Sequence, residues 1–433
     1  MAIHRKPPSE RLDHDRTVPP GGDSTPLYDR SFALVFVSQM GFVLATTLTA
    51  HYARWISFLG GDVREVGWIM GSSAVASLVL RPWLGQWINL LGPRVTWALG
   101  FGIFAVGTLG NRALDDLDWR IWILRACIVL GTAFVFASSL TYVSLIAPAR
   151  RRTEAIGTLG ISGFLGMLSG PYLGDIILGS ETTRQRGDFD ALFLTAAAAL
   201  ALPGVLLFFL RPPPVGSRPR PVRLGEFLRT VRRHWPGTIL LVNAVFGLCM
   251  AVPFGFLADY ADKFRLSTPE VSGIGVFFVG YAGCGIAVRL AFRRLPDRRG
   301  RRKVLLGGLV FFGAGMLCFL AVEPAQPRWL IVPGLVCGLG HGLTFHTMTS
   351  LTLESFPSHV RGTGSALAFM LVDFGMIAGA PILGEIAAAF GYAALFVTVG
   401  ASCLATAAIY TASSIPVWRA RRKRRLAGSP DDG

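Results

Sequence analysis

Twelve long apolar runs follow one another along this chain, and they constrain its fold more than any other feature. They lie near residues 31–53, 66–88, 95–112, 120–146, 155–178, 189–210, 237–259, 270–292, 303–322, 328–353, 361–387 and 390–412. A helix needs ~20 apolar residues to cross the hydrocarbon core of a bilayer. The runs therefore predict an all-α membrane protein with twelve transmembrane helices.

The composition also indicates a polytopic membrane protein. Of the 433 residues, 52% are hydrophobic and only 16% are charged, whereas a soluble domain carries about 25% charged residues. The net charge of +16 lies in short loops between the apolar runs. Nucleic-acid binding needs a basic face on a soluble domain, so we expect no nucleic-acid partner.

The six cysteines all fall inside apolar runs, and no two of them have Cys-x-x-Cys spacing. We interpret them as small core residues, with no disulfide framework and no metal site. The sequence also contains no Gly-rich phosphate loop and no nucleophile triad, which are the usual marks of catalytic or cofactor sites. The prediction is a protein that is not an enzyme and binds no cofactor.

A Pro- and Arg-rich segment at 211–236 separates the sixth run from the seventh, and a bilayer would not hold it. It predicts two six-helix bundles, at 31–210 and 237–412, joined by a cytoplasmic linker. Residues 1–30 lack apolar periodicity and are expected to form a disordered cytoplasmic tail. Residues 413–433 are expected to form a basic cytoplasmic tail.

Positive charge is divided unequally between the two sides of such a protein. The two tails, the linker and the loops on their side hold 30 Arg and Lys residues, against 9 in the opposite loops. Cytoplasmic loops collect positive charge. Both termini are therefore predicted to be cytoplasmic, in a multi-pass protein of the inner (plasma) membrane.

One loop pattern occurs in each half, between the second and third runs and again between the eighth and ninth. Four residues of the first copy have a counterpart 208 positions later: Arg81, Asn89, Gly92 and Arg94 match Arg289, Asp297, Gly300 and Arg302. A repeat at about half the chain length is typical of a transporter built from two parallel halves. The two bundles are therefore expected to be pseudo-symmetric.

The spacing Gly-x-x-x-Asp-x-x-Gly-x-Arg in these loops resembles the loop signature of the major facilitator superfamily. The resemblance covers residues 31–412 and implies a charged latch that holds the halves together in one access state. Asn89 replaces the acid of the first copy, and Arg293 replaces the leading Gly of the second. The alternative is that these charges only set topology. The residues assigned to the gating loop are Arg81, Gly85, Asn89, Gly92, Arg94, Asp297, Arg298, Gly300, Arg301 and Arg302.

The fifth run carries a second motif. Gly157, Gly166, Gly170, Pro171 and Gly174 have a spacing that resembles the antiporter signature of the family's drug-efflux branch. Glycines let helices approach closely, and proline permits a bend. Such a bend can seal one end of a cavity; the alternative is plain helix packing.

The chain departs from that signature at Asp175, where the pattern has a further Gly. The eleventh run contains a similar Ala-Pro-x-x-Gly stretch that ends in Glu385. Asp175 and Glu385 are thus matched acids near the outer ends of their helices. We expect both carboxylates to be solvated at the membrane interface.

Two charges lie well inside apolar runs, where lipid solvates them poorly. Arg125, with Gly131, resembles the family's Arg-x-x-x-Gly-x-Gly pattern, whose arginine is associated with proton coupling. Asp373 lies about 200° around its helix from Gly375, so it faces the cavity if the glycine face packs on a neighbouring helix. The context of Asp373 resembles sugar- and drug-efflux relatives, and we predict that it binds a proton. The alternative for each charge is a structural interaction between helices.

Uncharged polar side chains complete the candidates. His341 and His346 lie about 140° apart round the tenth run, which argues against a shared metal site; each either titrates near neutral pH or hydrogen-bonds in the core. Gln39 and Asn243 either line the cavity or join helices through hydrogen bonds. The predicted coupling and cavity residues are Arg125, Asp373, His346, Gln39 and Asn243.

Taken together, these features predict a monomeric secondary transporter whose partners are a small-molecule solute, protons and the lipid bilayer. Export by proton-coupled antiport is the favoured mode, because of the fifth-run motif, Arg125 and Asp373. A facilitator or importer of the same fold is one alternative, since Asp175 departs from the antiporter signature. A non-transporting receptor or scaffold is another, with only the tails and the linker available for partners.

Overall fold

The computed structural model describes residues 28–148, 151–211, 224–268, 271–292, 295–357 and 360–426, and these residues form helices and connecting turns without a strand. Residues 1–27 of the predicted N-terminal tail, residues 212–223 of the predicted linker and the last seven residues lie outside the described residues.

The first bundle contains eight helical segments. They are α1 (Arg30–Leu48), which continues through a 3₁₀ turn into α2 (Tyr52–Phe58), then α3 (Val63–Leu91), α4 (Pro93–Gly110), α5 (Arg120–Ile146), α6 (Arg152–Leu178), α7 (Arg186–Ala198) and α8 (Ala201–Phe208). Within this bundle α1 packs along α6, and α5 packs against both α3 and α4.

The second bundle repeats this arrangement. A short helix, α9 (Leu224–Arg233), precedes α10 (Ile239–Ala251), a π-helical turn, α11 (Leu257–Lys263), α12 (Gly273–Ala291), α13 (Leu295–Arg299), α14 (Arg301–Cys318), α15 (Ile331–Glu354) and α16 (Arg361–Leu426). Here α10 packs along α16, and α15 packs against both α12 and α14. The pairing pattern matches that of the first bundle, as the 208-residue repeat predicts.

Helix α9 was not expected in the linker. Its Phe227 and Val231 are buried against Phe356 and Leu367 of the second bundle. The linker sequence is rich in Arg and Pro, but its last ten residues before Trp235 place two apolar side chains four positions apart, which lie on one face of a helix. The linker therefore ends in a helix that covers the end of α15 and the beginning of α16.

The 66-residue α16 contains two antiparallel spans. Gly391 has φ 82°, a backbone conformation that is not helical and that favours glycine. On one side of this break Tyr392 donates a hydrogen bond to Asp259, and further along the chain Ser413 bonds to Thr238 at 2.8 Å. The chain after Gly391 therefore runs back along α11 and α10.

Length and composition identify ten candidate membrane spans among the described residues. The longest, Thr363–Ser413, covers 51 residues and includes both spans of α16. Helix α4, with 18 residues, lies at the third predicted run and is not among the ten. Helices thus occupy all twelve predicted runs. Length and composition support a membrane crossing for fewer than twelve of these runs.

The first span is longer than predicted. A run that ends at residue 53 leaves Arg54 in a loop, but the helix continues to Phe58, and Arg54 is 1% exposed. This boundary was wrong because a charged residue normally ends an apolar run. Here the charge is neutralised by acids on other helices, so the residue stays inside the span.

The two loop copies share one backbone feature. Gly92 precedes α4 with φ 84°, and Gly300 precedes α14 with φ 86°. Side chains with a Cβ rarely adopt such a backbone conformation. The glycines that recur at an interval of 208 are therefore required by the same sharp turn in each half.

The bundles contact each other along two pairs of helices, α3 with α16 and α6 with α12. We call the side that carries α9 and the start of α1 the terminal side, and the opposite side the far side. Gly67 and Gly71 of α3 lie directly on Ala380 and Pro381 of α16. This backbone contact brings the side chains further along α3 within reach of α16.

Candidate functional site

Asp373 lies on α16 at the contact between the bundles, and it is 8% exposed. Arg81 of α3 donates from Nη2 to its Oδ1 at 2.9 Å and from Nε to its Oδ2. Ser77 donates to the same Oδ2 at 2.8 Å, and the Arg81 guanidinium lies 5.2 Å from the ring centre of Phe369. We call Asp373, Arg81 and Ser77 the Asp373 contact, in which one carboxylate accepts three hydrogen bonds from the other bundle.

The orientation of Asp373 follows from the glycines beside it. Gly375 and Gly379 pack closely on Ala244 and Leu248 of α10, so the opposite face of α16 is turned towards α3. The carboxylate must be ionised to form its ion pair with Arg81. A proton bound by Asp373 therefore weakens a direct link between the two bundles.

Arg54 is the centre of a second buried network, on the far side. Its side chain is 0% exposed and forms ion pairs with Asp175 of α6 and with Asp262 of α11, the latter at 2.7 Å. Arg184 forms a further ion pair with Asp262 at 2.7 Å, and Ser272, the N-cap of α12, donates to Asp175. Two arginines thus balance two aspartates, and the network joins both bundles.

His51 connects this network to the motif of the fifth run. Arg54 donates to Nδ1 of His51 at 2.9 Å, so we assign the ring proton to Nε2, which donates to the carbonyl of Pro171 at 3.0 Å. We call these residues, Arg54, Asp175, Asp262, Arg184, Ser272 and His51, the far-side network.

The expected solvation of the two matched acids is correct for Glu385 and wrong for Asp175. The Glu385 side chain is 50% exposed, with Arg64 at 3.4 Å. Asp175 is buried at 8% exposure because Arg54 and Ser272 supply the interactions that water would otherwise provide. The departure from the family pattern at this position is therefore part of an inter-bundle ion-pair network.

The glycines of the fifth-run motif bring α6 against α1. Gly166 lies on Val43, Gly170 on Thr47 and Leu44, and Gly174 on His51. Gly157 has open space beside it, so the close contact begins only further along the helix. These contacts match the packing alternative, and they also hold Pro171 next to the far-side network.

The loop residues form contacts within their own bundles. Arg94 donates to the carbonyls of Leu207 and Phe208, both at 3.2 Å, at the end of α8. Arg301 forms an ion pair with Glu354 of α15.

The other residues assigned to the gating loop have fewer described contacts. Arg298 is exposed and Arg302 half-buried, and Gly85 has open space beside it. The side chains of Asn89 and Asp297 lie outside what the structure describes, so the predicted latch of the second loop stays a prediction. Of the gating residues, Arg81 is the one with a described contact across the bundles, through Asp373.

Arg125 lies in the interior of the first bundle, 6% exposed, with its guanidinium 4.7 Å from the ring centre of Tyr52. Its Nε and Nη1 atoms are buried and have no hydrogen-bond partner among the described residues. Tyr52 in turn donates to Asn111 at 2.8 Å. The Arg125 guanidinium therefore contacts the ring of Tyr52, which directly follows His51 of the far-side network. The role of Arg125 in coupling stays a prediction.

The tenth-run histidines lie in an aromatic cluster of the second bundle. Tyr281 and His341 are hydrogen-bonded through Oη and Nδ1, while Nε2 of His346 is buried without a partner among the described residues. Arg289 of α12 lies within electrostatic range of both histidines. Its guanidinium is 4.4 Å from the ring centre of Phe164 in the first bundle.

Gln39 and Asn243 are both fully enclosed, at 3% and 0% exposure. Asn243 donates to Thr352 at 3.0 Å and to the carbonyl of Ile239 at 2.8 Å, which is the interhelical bond of the structural alternative. Oε1 of Gln39 and Oδ1 of Asn243 have no partner among the described residues, so each side chain keeps a free acceptor.

Four charged residues of these clusters were not proposed from the sequence. Arg54 and Asp262 lie just beyond the ends of predicted runs, and Arg184 lies in a loop, so none of them shows the signal of a charge inside an apolar run. Arg289 had one signal, its position 208 residues after Arg81, but it was used only as a mark of the repeat.

Comparison with known proteins identifies the family. A family model described as the Major Facilitator Superfamily matches residues 31–372 and 270–429. The Multidrug resistance protein MdtG of Escherichia coli is 25% identical over 407 residues, which cover 91% of this chain and 90% of that protein. An uncharacterized MFS-type transporter of Methanocaldococcus jannaschii is 22% identical over 365 residues, which cover 83% of this chain and 91% of that protein.

Solved structures have the same fold. A crystal structure of the peptide transporter POT matches with a TM-score of 0.71 at 16% identity, over 90% of this chain and 95% of that chain. The nucleoside transporter NupG matches with a TM-score of 0.69 at 14% identity, over 88% of this chain and 98% of that chain. At these identities the likeness concerns the fold alone.

Proposed function

The chain belongs to the Major Facilitator Superfamily, and from that premise we propose that it exports a small solute in exchange for protons, with Asp373 as the proton-binding residue. As a member of this family it is a multi-pass membrane transporter of small molecules and not an enzyme. The proposal concerns the direction of transport, the coupling to protons and the residue that carries it.

The Asp373 contact is the observation that supports proton coupling best. Asp373 is a buried carboxylate on one bundle whose ion-pair partner, Arg81, is on the other. Intramembrane acids are costly and are typical of proton pathways. When Asp373 binds a proton, its ion pair with Arg81 is lost, and α3 and α16 lose a charged link between the bundles. Proton binding at this position therefore changes the relative stability of the access states.

The far-side network would act as the opposing gate. Its ion pairs join α2 and α6 to α11, and in the proposed cycle they close the far side. In alternating access the two halves rock about a site near the bilayer midplane. Opening to the far side would require these ion pairs to separate, so their strength limits how often that state is reached.

We assign the terminal side to the cytoplasm, because the tails, the linker and the loops on that side carry most of the Arg and Lys residues. Proton entry from the far side would then drive export. One proton crossing 100 mV contributes ~2.3 kcal/mol. At ~1.4 kcal/mol for each tenfold, this supports roughly a fiftyfold gradient of a neutral solute.

The export direction has support from a relative. The Escherichia coli protein, 25% identical to this chain, is named for multidrug resistance, which is consistent with removal of small molecules from the cell. The antiporter-like motif of α6 supports the same direction.

The test is proton flux in sealed proteoliposomes that contain the full-length protein. A panel of drugs, sugars and siderophore-like compounds would be added to wild type, to Asp373→Asn and to Glu385→Gln. We expect at least one compound to evoke proton movement in wild type, and this movement to fall at least tenfold in Asp373→Asn. Replacement by Asn removes the protonatable group while keeping the size of the side chain.

Glu385→Gln is the matched control, because Glu385 is an acid on the same helix with an exposed side chain. Its proton flux should equal that of wild type. Proton-coupled transport that survives in Asp373→Asn would remove this residue from the mechanism. Solute transport without any proton movement would instead indicate a facilitator.

A further inference from the structure

We infer that Arg289 binds an anionic group of the transported solute, such as a carboxylate or a phosphate, at the contact between α12 and α6. The inference rests on the proposed transport function and adds the chemical class of the substrate. It follows from comparing two equivalent places in the two halves of the molecule.

The two places are related by the internal repeat. Arg81 of α3 reaches across to α16, and Arg289, 208 residues later on α12, reaches across to α6. Each guanidinium lies against a phenylalanine ring of the opposite bundle, at 5.2 Å for Phe369 and 4.4 Å for Phe164. The two arginines thus occupy equivalent positions with respect to their partner helices.

The two arginines differ in their acidic partners. Arg81 forms an ion pair with Asp373, whereas no ion pair of Arg289 occurs among the described residues, and its Nε and Nη1 atoms are buried without a hydrogen-bond partner there. Helix α6 contains no acid between Glu154 and Asp175. Burial of a cation without an anion is costly. Arg289 is such a cation among the described residues, and a bound anion would offset that cost.

Open space lies beside α6, one turn along from its contact with the guanidinium. The Ala-Pro-x-x-Gly-Glu stretch of α16 and the Gly-Pro-x-x-Gly-Asp stretch of α6 are offset by 210 residues, and in that register Gly163 aligns with Asp373. In the register of the glycines that pack on α10 and α1, which are offset by 209, Phe164 aligns with Asp373. A Cβ built on Gly163 meets no atom of the described residues within 4 Å. A Cβ on Gly160, one turn earlier on α6, would overlap the guanidinium of Arg289, at 2.9 Å from its carbon. The guanidinium therefore fills the space beside Gly160, and open space begins one turn further along α6, beside Gly163.

The chemistry of the surroundings fits an anion. Arginine binds carboxylate and phosphate through paired N–H groups in a planar fork. His346, whose buried Nε2 has no partner among the described residues, lies within electrostatic range of Arg289 and provides a further nitrogen for a polar ligand group. The aromatic rings of Phe164, Phe345 and Tyr281 lie around the histidines, so an apolar group attached to the anion would meet apolar side chains.

An anionic solute also changes the energetics of exchange. If a singly charged anion leaves as one proton enters, both movements carry charge in the same electrical sense. The membrane potential then acts on two charges in each cycle.

The test uses pairs of probes that differ only in an anionic group: N-acetylphenylalanine with its amide, and indole-3-acetate with its amide. Purified full-length protein is titrated with each probe at constant ionic strength, with melting temperature as the readout. We expect the carboxylates to raise the melting temperature of wild type and to bind at least tenfold more tightly than the amides. This preference should be lost in Arg289→Gln.

Gly163→Asp and Gly163→Asn form a second, independent pair. Both place side chains of the same size in the open space beside Gly163, one turn from the residue that contacts Arg289, but only Asp carries a negative charge. We expect Gly163→Asp to melt at a higher temperature than Gly163→Asn, and to lose carboxylate binding. This pair leaves Arg289 in place, so it decides the question even if Arg289→Gln fails to insert.

Arg328→Gln is the control for net charge, because Arg328 is exposed at the start of the α15 segment; it should retain wild-type binding. Amides that bind as well as carboxylates, or equal melting temperatures for the two Gly163 variants, would overturn the inference. Proton-driven transport of uncharged solutes without anion binding would also overturn it, while leaving the proposed function intact. Carboxylate binding through Arg289 without any proton flux would support it and contradict the proposed proton coupling.

Discussion

At the scale of single residues, burial distinguishes the ion pairs that stabilise this protein from those that contribute little to its stability. Arg54 is fully buried and has two aspartates as partners, whereas Arg64 and Glu385 are each about half exposed. Exposed pairs contribute about 0–1 kcal/mol to stability. Removal of one partner from a buried pair costs about 3–5 kcal/mol, because it leaves an uncompensated charge.

This difference predicts the effect of two matched substitutions. Asp175→Asn should lower the free energy of unfolding by about 3–5 kcal/mol, because Arg54 and Arg184 then share a single aspartate. Glu385→Gln, at the matched position of the other bundle, should change it by less than about 1 kcal/mol. Thermal unfolding of the detergent-purified variants measures both.

One outcome would contradict this prediction. Equal stability of the two variants would mean that the far-side network contributes no more than a surface ion pair. The double variant Arg54→Gln, Asp175→Asn should recover part of the loss, since it removes both charges of one pair together.

Some residues of the candidate site can be predicted from the sequence, and others cannot. Arg125 and Asp373 were chosen because a charge inside an apolar run is costly in lipid. The partner of Asp373, Arg81, was assigned to a gating loop, because its contact with α16 depends on how α3 packs. Arg54 was overlooked because a charge near the end of a run looks like the beginning of a loop.

At the scale of helices, small residues decide which pairs approach closely. Gly166, Gly170 and Gly174 bring α6 onto α1, and Gly375 and Gly379 bring α16 onto α10. Packing drives helix association in lipid, where no hydrophobic effect operates between helices. The two parallel pairs are equivalent by the internal repeat, so one packing solution is used in both bundles.

A substitution within the fifth-run motif tests this packing. In Gly170→Ala the new Cβ would lie 2.7 Å from the carbonyl oxygen of Leu44, so α6 and α1 must move apart. Overpacking of this kind costs about 1–3 kcal/mol, and we expect a lower melting temperature together with slower transport. Both quantities are measured on the same purified sample.

Gly157→Ala is the control within the same motif, because a Cβ on Gly157 meets no described atom within 4 Å. It should retain the stability and transport of wild type. A similar loss in both variants would point to a requirement for flexibility along the whole helix and against a specific contact with α1.

At the scale of the whole molecule, the contacts between bundles define one access state. On the far side α2 meets α11, and Ser57 donates to Asp259 at 3.2 Å. A secondary transporter must separate such contacts once in every cycle. In the proposed transport cycle, the structure described here is the state in which these far-side contacts are formed.

A cross-link across the far side should stop the cycle. Cysteines introduced at Ser57 and Asp259 would be joined by a short bis-thiosulfonate reagent, and we expect solute transport to fall to the level of empty liposomes. A reducing agent should restore it. Each single-cysteine variant, treated in the same way, controls for modification of the native cysteines, and undiminished transport in the cross-linked protein would contradict rocking of the bundles.

Much of the fold was determined by the sequence alone, because lipid imposes strict local rules. A span needs ~20 apolar residues whatever surrounds it, so the runs indicate helices and the linker indicates two bundles. The repeat of Gly92 at Gly300 marks a turn that requires a positive φ in both halves. These features depend on residues close together in the chain and on a uniform solvent.

The tertiary structure decided which charges meet. Asp175 was expected in water because its helix ends nearby, yet it is buried by Arg54, 121 positions earlier in the chain. Arg81 and Arg289 look equivalent in the sequence, but the packing of the bundles gives Arg81 a carboxylate, whereas Arg289 contacts the ring of Phe164 and has no ion pair among the described residues. Partner choice in a membrane protein depends on which helix faces are adjacent, and the apolar runs carry little information about those faces.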